Sequence, residues 1–312
     1  MTGLLMPSLW VHTGDPWSVS LFENRFSLSS QQARTHVQVW YEMDRGQLSR
    51  IYAKFRSETY LRRKDGIVVC LDALSFLNKL PSGCADMVFL DPPFNLGKRY
   101  GSRHKSNDNR DEAEYEDYMH SILDSSSRIL KPGGTLYLFH IPRWAMPFGD
   151  YLSERLIFRN WIAISLTNGF PPPRRLYPAH YALLFFSKGQ LRIFRRPKIP
   201  IQTCSHCHKT LKSYGGKLKF MKGKVNLTDV WTDVSPIRHR ERKHRVANEL
   251  PMMILNRIMM MSSTPGGLMV DPFAGTGTSL IAAKNYGMRF LGCDVEREYC
   301  RTMKHRIENG GA

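Results

Sequence analysis

A doubly wound, mostly parallel α/β sheet, interrupted by a basic inserted region, is the fold this 312-residue sequence predicts. Two observations carry the prediction. From Asp65 onward, short apolar runs alternate with amphipathic stretches of helical spacing, which implies βαβ units around a parallel sheet. In addition, two of the apolar runs stop at an Asp followed by a turn, in VFLDPPFNLG (88–97) and LMVDPFAGTGTS (268–279). Doubly wound sheets collect ligands at the carboxyl ends of their strands, so acids placed there are candidate site residues.

The elements follow in order. Residues 1–64 form an N-terminal extension without a sheet pattern. Ser29 and Ser30 are caps for a helix through QQARTHVQVWYEM (31–43), LSRIYAKF (48–55) suggests a second short helix, and Met43 offers an alternative start. GIVVCL (66–71) reads as a strand, ALSFLNKL (73–80) as an amphipathic helix and ADMVFLD (85–91) as a buried strand. EAEYEDYMHSILDSSSRIL (112–130) has helical spacing and meets a stop at KPGG. TLYLFH (135–140) and HYALLFFSKG (180–189) are strands. NELPMMILNRIMMMSS (248–263) is a helix, and residues 266–296 read as strand, glycine turn, helix and strand. The boundaries are therefore 1–64, a first α/β half over 65–187, a basic insertion over 188–245 and a second half over 246–312.

Charge separates these parts. Residues 188–245 hold 16 Lys and Arg against three acids, Asp229, Asp233 and Glu241, which is +13 of the chain's net +18. A block of that density suits a polyanion, and nucleic acid is the natural partner because each neutralised phosphate releases counterions. No run of about 18 apolar residues occurs, so no membrane span is expected. The first residues lack the basic and apolar regions of a secretory signal. Four of the six Cys lie in apolar surroundings and read as reduced core thiols, which suits a cytoplasmic protein.

In DPFAGTGTS (271–279), Asp271 ends a strand, while Gly275 and Gly277 permit a tight turn and close approach of a ligand. Asp294 ends the next strand, at a spacing suited to accepting hydrogen bonds from ribose hydroxyls. Thr278 stands where a P-loop needs Lys, and Leu280 where a dinucleotide fingerprint wants its third Gly. An adenosine-containing ligand without a pyrophosphate fits better. In CSHCHK, Cys204 and Cys207 have zinc-ligand spacing, with His206, His208, His239 and His244 as further candidates. Free thiols in a compact loop are the competing reading. Tyr214, Phe220 and Trp231 lie among the basic residues, either as a small core or as rings that stack on bases.

The strand-turn-helix-strand-Asp unit around DPFAGTGT resembles the cofactor motif of S-adenosylmethionine-dependent methyltransferases. Asp91-Pro92-Pro93-Phe94 resembles the catalytic motif of those that methylate exocyclic amines of DNA bases. The catalytic motif precedes the basic segment and the cofactor motif follows it. That order resembles the β class of DNA amino-methyltransferases, a circularly permuted Rossmann-like fold with its target-recognition region in the middle. The resemblance covers roughly residues 65–305. It implies catalytic roles for Asp91, Pro92, Pro93 and Phe94, and cofactor contacts for Asp72, Asp271, Phe273, Gly275, Gly277, Thr278 and Asp294. The stretch Asn248–Pro251 falls where the family approaches the cofactor's methionine moiety.

The chemistry matches the residue types. An exocyclic amine is a poor nucleophile because its lone pair is delocalised into the ring. Acceptors aimed at its hydrogens, the Asp91 carboxylate and the Pro92 carbonyl, build charge density on nitrogen in the transition state. The prolines stiffen the loop and add no competing donors, and Phe94 offers a face for a base flipped out of the duplex. Asp at the head of the motif favours adenine N6 over cytosine N4, the alternative target. An idle nucleic-acid-binding module on the same fold is opposed by the intact acid and glycines. An RNA or protein amine methyltransferase is opposed by the motif order. The implied partner is double-stranded DNA, in the cytoplasm and on the nucleoid. A homodimer and a cognate restriction endonuclease are compatible with the resemblance.

Overall fold

A computed structural model of the chain describes residues 45–96, 110–165, 174, 176, 179–201, 203, 204, 206–210, 223–234 and 249–310. The helix expected over 31–43 lies outside the described residues, as do Tyr214, Phe220, His239, His244 and Asn248. The chain runs through α1 (Arg45–Ala53), β1 (Thr59–Arg62), β2 (Gly66–Cys70), α2 (Ala73–Lys79), β3 (Ala85–Leu90), α3 (Glu112–Ile129) and β4 (Leu130–His140). It continues with α4 (Pro142–Ser153), β5 (Ile157–Ser165), β6 (His180–Ser187), β7 (Lys198–Pro200), β8 (Lys224–Asn226) and β9 (Val230–Trp231). The last elements are α5 (Met252–Ser262), β10 (Leu268–Asp271), α6 (Thr278–Asn285), β11 (Arg289–Asp294) and α7 (Arg297–Glu308).

Nine strands form one sheet in the order β1-β2-β11-β10-β3-β4-β6-β5-β9, and β7 pairs with β8 apart from it. The central five, β2, β11, β10, β3 and β4, are parallel. β1 and β6 run antiparallel to their neighbours, so the fold is α/β with a mostly parallel sheet, as the alternation predicts. From β10 the chain crosses through α6 to β11 on one side, whereas from β3 it crosses through α3 to β4 on the other. The crevice between the carboxyl ends of β10 and β3 is therefore a topological switch point.

Strict alternation along the strands builds a core on each face. Val68, Met87, Phe89, Tyr137, Phe139, Met269 and Phe290 point to one layer, closed by α5, α6 and α7. Ile67, Val69, Val88, Leu90, Leu136, Leu138, Val270 and Leu291 point to the other, closed by α1, α2, α3 and α4. A strand buried on both faces reads as a continuous apolar run, which is why ADMVFL is recognisable from sequence.

Three local readings change. The KPGG segment ends α3 but makes no loop, because β4 already begins at Leu130. Gly133 takes a left-handed φ of 77° and the pairing with β3 shifts register between Ala85 and Met87, so the segment is an irregularity inside a strand. Helix α4 is unforeseen because Pro142, Pro147 and Gly149 disguise it, yet Trp144, Ala145, Phe148 and Leu152 form its buried stripe. β9, from within the basic insertion, pairs with β5 and becomes an edge of the main sheet.

Candidate active site at the switch point

Asp271 closes β10 and is 1% exposed. Its Oδ1 accepts the Phe273 N–H at 2.9 Å and its Oδ2 accepts the Ser279 hydroxyl, so one side chain ties both ends of the glycine turn. Burial pushes its carboxyl up to about 7, against the opposing pull of those two donors. Gly275 and Gly277 both lie in the left-handed region, at φ 53° and 86°. They serve different ends. A Cβ at Gly277 would come within 2.7 Å of Met303 Cγ, so that glycine lets α7 pack against the turn. A Cβ at Gly275 would meet nothing within 4 Å, so the outer side of the turn is open space.

Asp294 ends β11 and accepts the Gly275 N–H at 3.0 Å and the Glu296 N–H at 2.8 Å, while burial raises its carboxyl to about 7. Asp72 caps α2, its Oδ1 accepting the Leu74 and Ser75 N–H groups, both at 3.0 Å. The neighbouring Leu71 N–H bonds the Asp294 carbonyl at 3.1 Å, which brings these two acid-bearing strand ends together.

Arg306, outside the expected set, and Glu249, within the expected stretch Asn248–Pro251, organise the turn. Arg306 of α7 donates to the Thr276 carbonyl at 3.0 Å, the Thr276 hydroxyl at 2.9 Å and the Thr278 hydroxyl at 3.2 Å. It also pairs with Glu249 at 3.2 Å, and Glu249 in turn accepts the Thr276 hydroxyl at 3.0 Å. Only sequence-distant packing reveals this clamp, since Arg306 reads in sequence as one more basic residue of a terminal helix.

Across the crevice, Asp91 follows β3. Burial, and then the charge of Asp271, push its carboxyl well above the usual carboxylate range. Pro92 is buried and Pro93 half-buried. The Pro93 carbonyl is engaged within the protein, accepting the Tyr115 hydroxyl at 2.6 Å. Phe94 is 9% exposed and packs against His140 at 4.8 Å, Tyr181 at 5.7 Å and Phe139 at 6.0 Å. Asn95 then adopts a left-handed φ of 56°, which Asn tolerates. Its side chain bonds the Arg110 carbonyl at 3.0 Å and the Arg110 N–H at 2.8 Å, joining the two ends of residues 97–109, which lie outside the described residues.

One cleft, partly open to solvent, is lined by Asp91, Asp271, Phe273, Gly275 and Thr278 together with Phe89 and Glu249. The structure thus brings the two acid-ended motifs onto one wall each of the same space. Pro251 caps α5 and Leu250 joins the cleft lining, so the segment before that helix also borders it. Other candidates lie apart. Cys204 and Cys207 sit on a turn closed by bonds from Cys204 N–H to Lys209 and from His208 N–H to Cys204. The backbone N–H groups of Cys207 and His206 hold the Cys204 thiol below its usual range. Among the described residues no three His, Cys, Asp or Glu converge on a common point. Trp231 is 1% exposed, bonds the Thr228 carbonyl at 2.7 Å and carries Arg257 over its ring. It is a core residue and not a stacking ring for bases.

A glycine turn and an Asp-Pro-Pro-Phe loop thus face each other at the switch point of a mostly parallel α/β sheet. The chain belongs to the DNA methylase family, whose N6/N4 methyltransferase model matches residues 85–305. Among curated relatives it is 39% identical over 240 residues to the Type II methyltransferase M.BamHI of Bacillus amyloliquefaciens, covering 76% of this chain and 56% of that one. Its fold is similar to that of the M1.HpyAVI–SAM complex, with a TM-score of 0.52 at 19% identity over 77% of this chain and 98% of that one. The cytosine-N4-specific PvuII DNA methyltransferase gives 0.54 at 17% identity, over 82% and 97%. Among the described residues no helix is long and apolar enough to cross a membrane.

Proposed function

We propose that the chain is an S-adenosylmethionine-dependent DNA methyltransferase of the permuted β class, acting on the exocyclic amine of a flipped base. The observation that carries this reading is the adjacency of β3 and β10, which sets Asp91 and the glycine turn on one cleft. The sheet supports the permutation, since the strand bearing the cofactor turn lies at its centre yet comes next to last in the chain.

The residues present fit the cofactor. Open space above Gly275 admits a ligand against the backbone, and Thr278 and Phe273 border that space. Asp294 and Asp72 offer acceptors for ribose hydroxyls and for the adenine end. When bound, the cofactor supplies an electrophilic methyl group on a sulfonium. A carboxyl oxygen of Asp91 and the Pro92 carbonyl would each accept one amine hydrogen and so direct the nitrogen lone pair toward that methyl. The methyl group would come from the bound cofactor, while Asp91 and Pro92 would keep the amine nitrogen aimed at it. The Phe94 loop bounds the base pocket.

The partner is double-stranded DNA, with residues 188–245 as the target-recognition region and the cytoplasmic nucleoid as the place of action. Adenine N6 is the favoured target because Asp leads the motif; cytosine N4 is the alternative, and the family model spans both. A homodimer and a cognate restriction endonuclease belong to the proposal through the resemblance alone.

The test is direct. Unmethylated DNA is incubated with labelled S-adenosylmethionine, digested and analysed by mass spectrometry, which identifies the modified base. Asp91→Ala abolishes transfer while calorimetry still shows cofactor binding. Retained turnover in that variant sinks the catalytic assignment, and failure of the intact protein to bind the cofactor returns it to the idle-module reading.

A further inference from the structure

The catalytic loop is held from beneath by a hydrogen-bond chain that no motif contains. The backbone N–H of Ile141 donates to His140 Nδ1 at 2.9 Å. That single bond fixes the tautomer: Nδ1 is the bare nitrogen, so Nε2 carries the proton. Nε2 therefore donates to the Tyr115 oxygen 2.7 Å away, and the Tyr115 hydroxyl donates its own proton to the Pro93 carbonyl at 2.6 Å. The chain runs one way, from a strand-end amide through an imidazole and a phenol to the loop. His140 is 0% exposed and Tyr115 1%, so water does not substitute for either.

The same imidazole lies under Phe94, with ring centroids 4.8 Å apart and planes tilted by 33°. His140 consequently touches the loop twice, through Tyr115 at Pro93 and directly at Phe94. Tyr115 is in turn wedged by Trp144 at 4.9 Å and Phe148 at 5.9 Å. Both residues stand on regular elements, at the end of β4 and in the first turn of α3. Such elements position a loop more rigidly than another loop does.

From these contacts we infer that Tyr115 and His140 are positioning residues for the methyl-transfer reaction: they occupy the Pro93 carbonyl, leave the Pro92 carbonyl as the loop's acceptor, and set the orientation of Phe94. The inference rests on the reading of Asp91–Phe94 as the catalytic loop. An unoccupied Pro93 carbonyl would let the loop rotate and offer the wrong acceptor to the amine. Displacements of about 1 Å at such a site cost up to about a hundredfold in rate.

The experiment compares single-turnover transfer to DNA with S-adenosylmethionine affinity. Tyr115→Phe deletes one oxygen and keeps the ring among Trp144 and Phe148. It lowers the transfer rate at saturation by roughly tenfold or more, with the cofactor dissociation constant unchanged. His140→Leu behaves likewise, whereas His140→Gln, which keeps an N–H donor near the place of Nε2, recovers most of the rate. A wild-type rate in Tyr115→Phe overturns the inference, as does an equal loss in rate and cofactor affinity, or His140→Gln no better than His140→Leu. Should Tyr115→Phe fail to fold, the two His140 variants decide by the same comparison. Asp91→Ala run alongside separates the two levels: turnover in that variant removes the catalytic reading itself, while a dead Asp91→Ala beside a fully active Tyr115→Phe removes only the positioning role.

Discussion

Asp271 accepts a hydrogen bond at each oxygen, yet its carboxyl is pushed up to about 7 because burial outweighs both donors. In the unfolded chain the same group titrates near about 3.9. A folded value above the unfolded one means that folding must bury a charge once pH exceeds the ordinary range. Stability is therefore fully present at low pH and is lost as pH rises through the interval from about 4 to about 7, by at most ~4 kcal/mol. Asp271→Asn keeps an acceptor for Phe273 and can donate to Ser279, but it has no charge to bury. Relative to the intact protein, its melting temperature measured without cofactor is expected to rise between pH 5 and pH 8. A difference that stays constant with pH contradicts the assignment. This residue shows how far single positions were legible: DPFAGTGT named Asp271, Gly275 and Gly277, but not that the Asp fastens the turn or that Gly277 makes room for Met303. Those facts depend on neighbours eight and 26 residues away, which no local pattern encodes.

Strands and helices announce themselves by periodicity, and the central elements were readable for that reason. β5 and α4 were not: most of β5, between β6 and the two-residue β9, is half-buried or exposed, and α4 carries Pro142 at its start with Pro147 and Gly149 inside it. Asp86 is a comparable case within a readable element. In ADMVFL it looks like a polar opening to a buried strand, yet it is 5% exposed and joins four segments. Its Oδ2 accepts Lys131 at 2.7 Å and the Leu268 N–H at 2.9 Å, and its Oδ1 accepts Arg192 at 2.9 Å. The carboxylate thus ties the amino ends of β3 and β10, the irregular start of β4 and the first part of the basic segment. Removing it strands a poorly solvated Lys131 and a buried amide. Asp86→Ala is expected to destabilise the fold by about 3 kcal/mol or more in denaturant unfolding, with Asp86→Asn milder because it retains an acceptor for Leu268. Equal stability of Asp86→Ala and the intact chain would show that the tie contributes nothing.

At the scale of the molecule, charge and chemistry are segregated. The α/β halves carry the acid-ended strands and the glycine turn, whereas residues 188–245 carry +13. Part of that charge is committed to the fold: Lys188 bonds the Ser127 and Leu130 carbonyls, Arg192 pairs with Asp86 and Arg195 bonds the Ser263 carbonyl. Lys198, Lys209 and Lys224 are exposed and carry no such tie in the described structure. Such lysines suit phosphate contacts, which position DNA without reading its sequence. Changing all three to Gln is expected to weaken duplex binding similarly for different sequences. The slope of log affinity against log salt should become shallower by roughly 0.9 for each lysine that neutralises a phosphate. S-adenosylmethionine binding should be unchanged, since the cleft at the switch point includes none of the three. Fluorescence titrations of the intact and substituted proteins across a salt series measure the slope. If it is the same for both, the phosphate contacts lie elsewhere and the role given to these lysines is wrong. If cofactor affinity falls as well, the insertion and the cleft are coupled, and the separation of recognition from chemistry inferred from the charge pattern does not hold.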